Sequence, residues 1–193
     1  MRTKTISRAT AETDVNLTIN LDGSGKSAID TGCGFLDHML TLLAFHGGFD
    51  MDVKCKGDTE VDYHHTVEDV GIVLGQAMRA ALGESLAIYR YGSIILPMDE
   101  ALILAAVDIS GRPFLSFAAD IPAEKVGDFD TELAEEFMLA FSRSLSCTLH
   151  IRQLAGKNSH HIIEAMFKAL GRALRDALRE TGGGVASTKG VLM

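Results

Sequence analysis

Hydrophobic and polar positions change rhythm several times along the chain, and the rhythm of the first half returns in the second. Residues 12–23, Glu-Thr-Asp-Val-Asn-Leu-Thr-Ile-Asn-Leu-Asp-Gly, alternate apolar with polar and stop at a glycine. A period of two ending in such a turn predicts a half-buried strand. Residues 100–111, Glu-Ala-Leu-Ile-Leu-Ala-Ala-Val-Asp-Ile-Ser-Gly, make a second strand-like stretch with the same stop. Met51-Asp-Val-Lys-Cys and Cys147-Thr-Leu-His-Ile are a further alternating pair. Elsewhere the period lengthens to that of helices. These are predicted from near Phe35 to the Gly47-Gly48 stop and over residues 66–82, 131–144 and 162–180, the last ended by Gly182-Gly183-Gly184.

The recurrence is a duplication. HHTVEDVGIVLGQAMRAALGE (64–84) aligns without a gap on HHIIEAMFKALGRALRDALRE (160–180), 96 positions later. His64/His160, His65/His161, Glu68/Glu164, Gly75/Gly171 and Arg79/Arg175 match. The offset is 88 where Glu12 meets Glu100, so the second half carries insertions. Chance likeness of two amphipathic helices would match Ala and Leu, not a His-His-x-x-Glu start. Each half reads as strands, a helix, further strand and a second helix. The expectation is an α+β fold of two halves, 1–92 and 93–193, fused as one domain.

The paired histidines carry the candidate chemistry. Residues i and i+4 share a helix face, as do i and i+3. His64 and His65 can therefore each meet Glu68, and His160 and His161 can each meet Glu164. An imidazole with a carboxylate is a nitrogen/oxygen pair suited to Mn, Fe or Zn. Adjacent histidines point in different directions, so one pair can serve two metals. His38, in Phe35-Leu-Asp-His-Met, is a further candidate ligand, and its counterpart in the second half is Glu136. His46, before two glycines, is a candidate substrate contact, whereas His150 reads as a structural residue of a strand. Arg112, in a turn after a strand, and Ser187-Thr-Lys189-Gly are candidates for gripping a phosphate.

Composition narrows the alternatives. The chain has 193 residues, 47% of them hydrophobic, enough for one substantial core. A net charge of −8 argues against nucleic acid or an anionic membrane as the main partner. The three cysteines, Cys33, Cys55 and Cys147, have no C-x-x-C spacing and fit neither a disulfide scaffold nor a cysteine zinc site. The N-terminal residues show no signal-peptide core, and no apolar run is long enough to span a bilayer, so a cytoplasmic protein is expected. Gly23-Ser-Gly-Lys-Ser27 lacks the leading glycine of a P-loop, because Asn20 stands there, and no helix pattern follows.

FLDHM (35–39), DYHHTVED (62–69), PMDEAL (97–102), DISGRP (108–113), NSHHIIEA (158–165) and STKG (187–190) occur in the order seen in imidazoleglycerol-phosphate dehydratases. The chain resembles that family over nearly its whole length. The resemblance implies duplicated halves like the second domain of ribosomal protein S5, with two mixed sheets flanking a helical bundle. It implies removal of water from D-erythro-imidazole-glycerol phosphate to give imidazole-acetol phosphate, in histidine biosynthesis. It implies two Mn2+ per active site and a homo-24-mer built from trimers, with active sites at subunit contacts. Carried over, one metal takes His38, His65, His161 and Glu164, and the other His64, Glu68, His160 and Glu136. Substrate contacts carried over are Glu12, His46, Arg90, Asp99, Arg112, Lys168, Ser187 and Lys189. Two positions depart from the pattern: many relatives have histidine at Glu136, and some have a polar contact at Leu42.

The implied reaction has no carbonyl beside the carbon that loses its proton, so the substrate's imidazole must serve as electron sink. Two Lewis acids on its two nitrogens would favour that, which gives a reason for two similar sites. Glu164 and Glu12 are the candidates for proton transfer, supported by Asp99 and His46. A dinuclear phosphoesterase would need a bridging carboxylate. A ferritin-like iron store would place Glu before His on its helices, the reverse of the order here.

Overall fold

The repeat read from the sequence returns as two sheets of identical topology in the computed structural model, which describes residues 2–83, 87–184 and 186–187. In the first half, β1 (Thr3–Ala9), β2 (Thr13–Asn20), β3 (Ser27–Asp30) and β4 (Asp50–Gly57) take the order β1-β2-β4-β3. Only the β3–β4 pair is parallel. In the second half, β5 (Tyr91–Met98), β6 (Ala101–Asp108), β7 (Phe114–Ala118) and β10 (Thr148–Ala155) repeat it as β5-β6-β10-β7, with β7–β10 parallel. The remaining pair, β8 (Lys125–Val126) and β9 (Phe129–Asp130), is a hairpin between β7 and the next helix. This insertion accounts for the drift in the repeat offset. The division at 92/93 falls inside β5, so the second set of elements begins at Tyr91.

Among the described residues, four helices lie between the sheets: α1 (Gly34–Gly47), α2 (His64–Leu82), α3 (Leu133–Leu145) and α4 (Ser159–Leu178). Helix α2 covers the first sheet and α4 the second, and the helices then pair across the repeat, α1 with α4 and α2 with α3. The alternation of β2 and β6 follows: Val15, Leu17 and Ile19, like Ile103 and Ala105, are wholly buried against helices. Helices α2 and α4 begin two to three residues earlier than the periodicity suggests. Side chains just upstream explain this, since Asp62 accepts from the His64 N–H and Asn158 from those of His160 and His161. Both His-His pairs thereby enter the first helical turn.

The matched glycines set the distance between the paired helices. A Cβ at Gly75 would stand 2.7 Å from the Phe141 carbonyl oxygen, and one at Gly171 would stand 2.6 Å from that of Leu43. At both crossings one helix lies directly on the other's backbone. Alanine is a better helix former than glycine by about 1 kcal/mol, but here its methyl group must force the helices apart. Gly75→Ala and Gly171→Ala are expected to destabilise the protein by about 1–3 kcal/mol each, the usual cost of overpacking. Gly34→Ala, where the added methyl meets nothing within 4 Å, should be neutral or stabilising. Denaturant midpoints of the three variants check this.

Candidate active site

Parallel packing of α1 on α4 carries His38 to the first turns of α4. Its Nε2 lies 3.5 Å from Oε2 of Glu164, and Nε2 of His160 lies 3.0 Å from the same oxygen. One ligand atom from each of the three residues falls within 4.8 Å of the others. The other oxygen, Oε1, pairs with the Lys168 ammonium at 2.5 Å. Glu164 is only 7% exposed, a costly place for a carboxylate without partners. Burial alone would raise its carboxyl, but the hydrogen bonds from Lys168 and His160 outweigh it and hold the group below the usual carboxylate value. Two imidazole nitrogens and an ionised carboxylate oxygen form a donor set that fits a divalent transition metal.

The second histidine of each pair is held differently. His65 Nδ1 lies 3.0 Å from Oδ2 of Asp58, and its Nε2 lies 3.7 Å from Oε1 of Glu12. His161 Nδ1 lies 2.7 Å from Oε2 of Glu100, with Nε2 3.7 Å from Oδ2 of Asp99. In both, one nitrogen is anchored on a carboxylate and the other faces outward beside a second acid. This is how proteins orient an imidazole for a metal. The hydrogen bond to Asp58 raises the His65 imidazole, and that to Glu100 raises His161. Glu100 itself is held at about 2 by His161 and by the Asn158 and Lys157 N–H groups. Asp58 and Glu100 were not singled out in the sequence. Glu100 was within reach, because the repeat aligns it with Glu12.

Within one chain, the expected quartets are not gathered. Among the described residues, His38, His160 and Glu164 are the one candidate metal cluster. His160 completes it, not His161, because Glu100 draws the His161 ring away. His64, Glu68 and Glu136, the repeat counterparts of that trio, lie on α2 and α3, where they form no such cluster.

The remaining residues divide by how free they are. Glu12, Asp99 and Arg112 are exposed. Arg90, with φ of 73°, grips both oxygens of Asp108 at 2.7 and 3.2 Å, and its Nη1 donates to the Ala186 carbonyl. It therefore ties down the segment that leads to Ser187, which is partly buried. Lys189 lies outside the described residues. His46 is half-buried at the end of α1, and Leu42, one turn before it, is partly buried. Burial, and then the Lys168 and Arg172 cations, lower the His46 imidazole, leaving it neutral at pH 7. His150 stands on β10 beside Phe114, ring centroids 6.0 Å apart. Among the described residues, no helix is long and apolar enough to cross a membrane.

The sequence profile of the imidazoleglycerol-phosphate dehydratase family matches residues 31–174. An imidazoleglycerol-phosphate dehydratase of Acetivibrio thermocellus is 62% identical over 189 residues, covering 97% of each chain. One of Clostridium novyi is 56% identical over 187 residues, covering 96% of this chain and 95% of its own. The crystal structure of the Staphylococcus aureus enzyme superposes with a TM-score of 0.84 at 45% identity, covering 93% of this chain and 99% of that one. That of the Pyrococcus furiosus enzyme gives 0.86 at 43% identity, covering 97% and 100%. In sequence and in fold, over nearly its full length, the chain therefore belongs to the imidazoleglycerol-phosphate dehydratase family, lyases of histidine biosynthesis.

Proposed function

We propose that this chain dehydrates D-erythro-imidazole-glycerol phosphate to imidazole-acetol phosphate with two Mn2+ per active site, in a homo-24-mer of trimers whose subunits share each site. The observation that carries this reading is the His38–His160–Glu164 cluster. When bound, the two ions would supply Lewis acidity to the two nitrogens of the substrate's imidazole ring, favouring its deprotonated form. The protein's residues do the rest. His38, His160 and Glu164 offer one set of donors. His65 and His161, aimed by Asp58 and Glu100, offer outward nitrogens, and His64, Glu68 and Glu136 offer further donors. These groups are dispersed over one chain, which supports sites completed by another.

The outer faces of the sheets support the same association. The first sheet shows water Ser7, Asp14, Asn16 and Thr18, whereas the second has Ile95, Leu102, Leu104 and Ala106 at the matching positions. Ile95 is 55% exposed, and Phe114, on the opposite edge strand β7, 56%. Such an apolar face marks a contact surface.

Dehydration removes the C2 proton and the C3 hydroxyl, and the resulting enol tautomerises to the ketone. Glu164, held by two imidazoles and Lys168, serves to fix the donors. Glu12, exposed beside His65, is the better proton carrier, with Asp99 in the matching place beside His161 and His46 as a neutral hydrogen-bonding partner. Arg112, Lys168, Ser187 and Lys189 would hold the phosphate. Arg90, already committed to Asp108, positions the Ser187 segment.

Metal-stripped protein should lose product formation and regain it when about two Mn2+ per chain are restored; full loading without activity would break the assignment. Glu12→Gln should lower kcat by roughly 10²-fold or more while metal content, read by elemental analysis, stays unchanged. Equal loss of both would refute its role in proton transfer. Leu104→Glu should give smaller particles by sedimentation.

A further inference from the structure

A pocket of about 930 Å3 opens where the end of α1, the β2–β3 turn and the last turns of α4 meet. None of the proposed metal ligands lines it, and of the residues assigned to the reaction only His46 does. Its walls carry four arginines, Arg2, Arg172, Arg175 and Arg179, against one carboxylate, Asp176, in a chain whose net charge is −8. Two of the four are committed. Arg2 is paired with Asp22 at 2.6 Å and donates to the Leu178 carbonyl, and Arg179 lies over the Tyr89 ring at 4.0 Å. Arg172 and Arg175 have no hydrogen bond or ion pair among the described residues. The dipole of α4 explains a cation in its last turn, such as Arg175, but not Arg172 farther up the helix.

Arg172 and Arg175 are three residues apart and share a helix face. Both line the one cavity, and two guanidinium forks there match phosphate oxygens. Phe49 and Ile94 add apolar wall, which suits the organic body of a phosphate ester better than a bare ion. Distance along α4 also separates the two arginines from the metal-ligand cluster. Arg172 and Arg175 lie eight and eleven residues beyond Glu164, about 12 and 16 Å along the helix. A substrate whose ring sits at the His38 cluster reaches Lys168 before either. The repeat offers no second copy of this arrangement, since Gln76 stands where α4 has Arg172.

We propose that this pocket is a second anion site, which takes the phosphate group of a small molecule other than the substrate held at the His38 cluster. The inference rests on the pocket and not on the metal reading.

The test is calorimetric titration of metal-stripped protein with inorganic phosphate and with pyrophosphate. Saturable binding that weakens with salt is expected. The Arg172→Gln/Arg175→Gln double variant should bind at least roughly tenfold more weakly, and Glu164→Gln should bind as before. With manganese restored, the double variant should keep its kcat and its KM for the substrate. Phosphate binding that is absent, or indifferent to the double substitution, overturns the proposal. A substrate KM raised in step with lost phosphate binding overturns it too, by making the pocket part of the reaction site. So does a change in particle size by sedimentation, which would assign the guanidinium groups to contact with a second copy.

Discussion

The close approach of helices across the repeat determines where the chemistry can be. At Gly171 no side chain separates α4 from the backbone of α1 at Leu43 and Gly47. Two helices running in parallel at that separation keep their register, so a contact near the end of α1 fixes its beginning as well. His38 is five residues before Leu43, and Glu164 is seven before Gly171. The same seam that excludes a methyl group at one end brings imidazole and carboxylate within 3.5 Å at the other. At Gly75 the α2–α3 seam is built alike, against Phe141. Neither half could make this contact alone, because each first helix packs on the second helix of the other half.

That seam also makes the Glu164 carboxylate expensive. A buried anion persists only where partners replace the lost water. Here Lys168 neutralises one oxygen and two imidazoles face the other. The lysine keeps the carboxylate ionised without occupying the oxygen that points at the histidines. His65 and His161 use a different device, a carboxylate at each Nδ1, which leaves Nε2 free to face a second acid. Only the Glu164 carboxylate is buried, and the imidazoles of both sets reach the surface, as expected of a site that a neighbouring chain completes.

How much of this could be read in the sequence depends on the range of the contact. His160 and Glu164 are four apart on one helix, so periodicity alone predicts that they meet, and they do. The duplication was visible for the same local reason, and with it the α+β class. The register of α1 on α4 was not, because it rests on contact between residues more than a hundred positions apart. The sequence therefore could not say which member of the His160-His161 pair meets His38 within the chain. That choice is made by Glu100, which draws His161 away, and Glu100 lies in the β5–β6 connection, sixty-one residues upstream. The β8–β9 hairpin was legible only as a change in repeat offset, since two-residue strands leave no periodicity. The resemblance implies that Arg90 is a substrate contact, and its grip on Asp108 depends on strand pairing that local pattern does not encode.

The two halves have diverged unevenly. The histidine pairs and their glutamates recur in both, as do the helix-contact glycines. Lys168, which pairs with Glu164 on α4, does not: Ile72 stands at its place on α2. A substrate such as imidazole-glycerol phosphate has the same imbalance. Its ring presents two nearly equivalent nitrogens, which a duplicated donor set can match, but it carries a single phosphate at one end. Duplication supplies the pair that the ring needs, and a second copy of the phosphate grip would have nothing to hold. Where the halves stayed alike, they carry the paired donors and the helix contacts of the core. The lysine stands on α4 alone, one turn beyond the buried carboxylate that it neutralises.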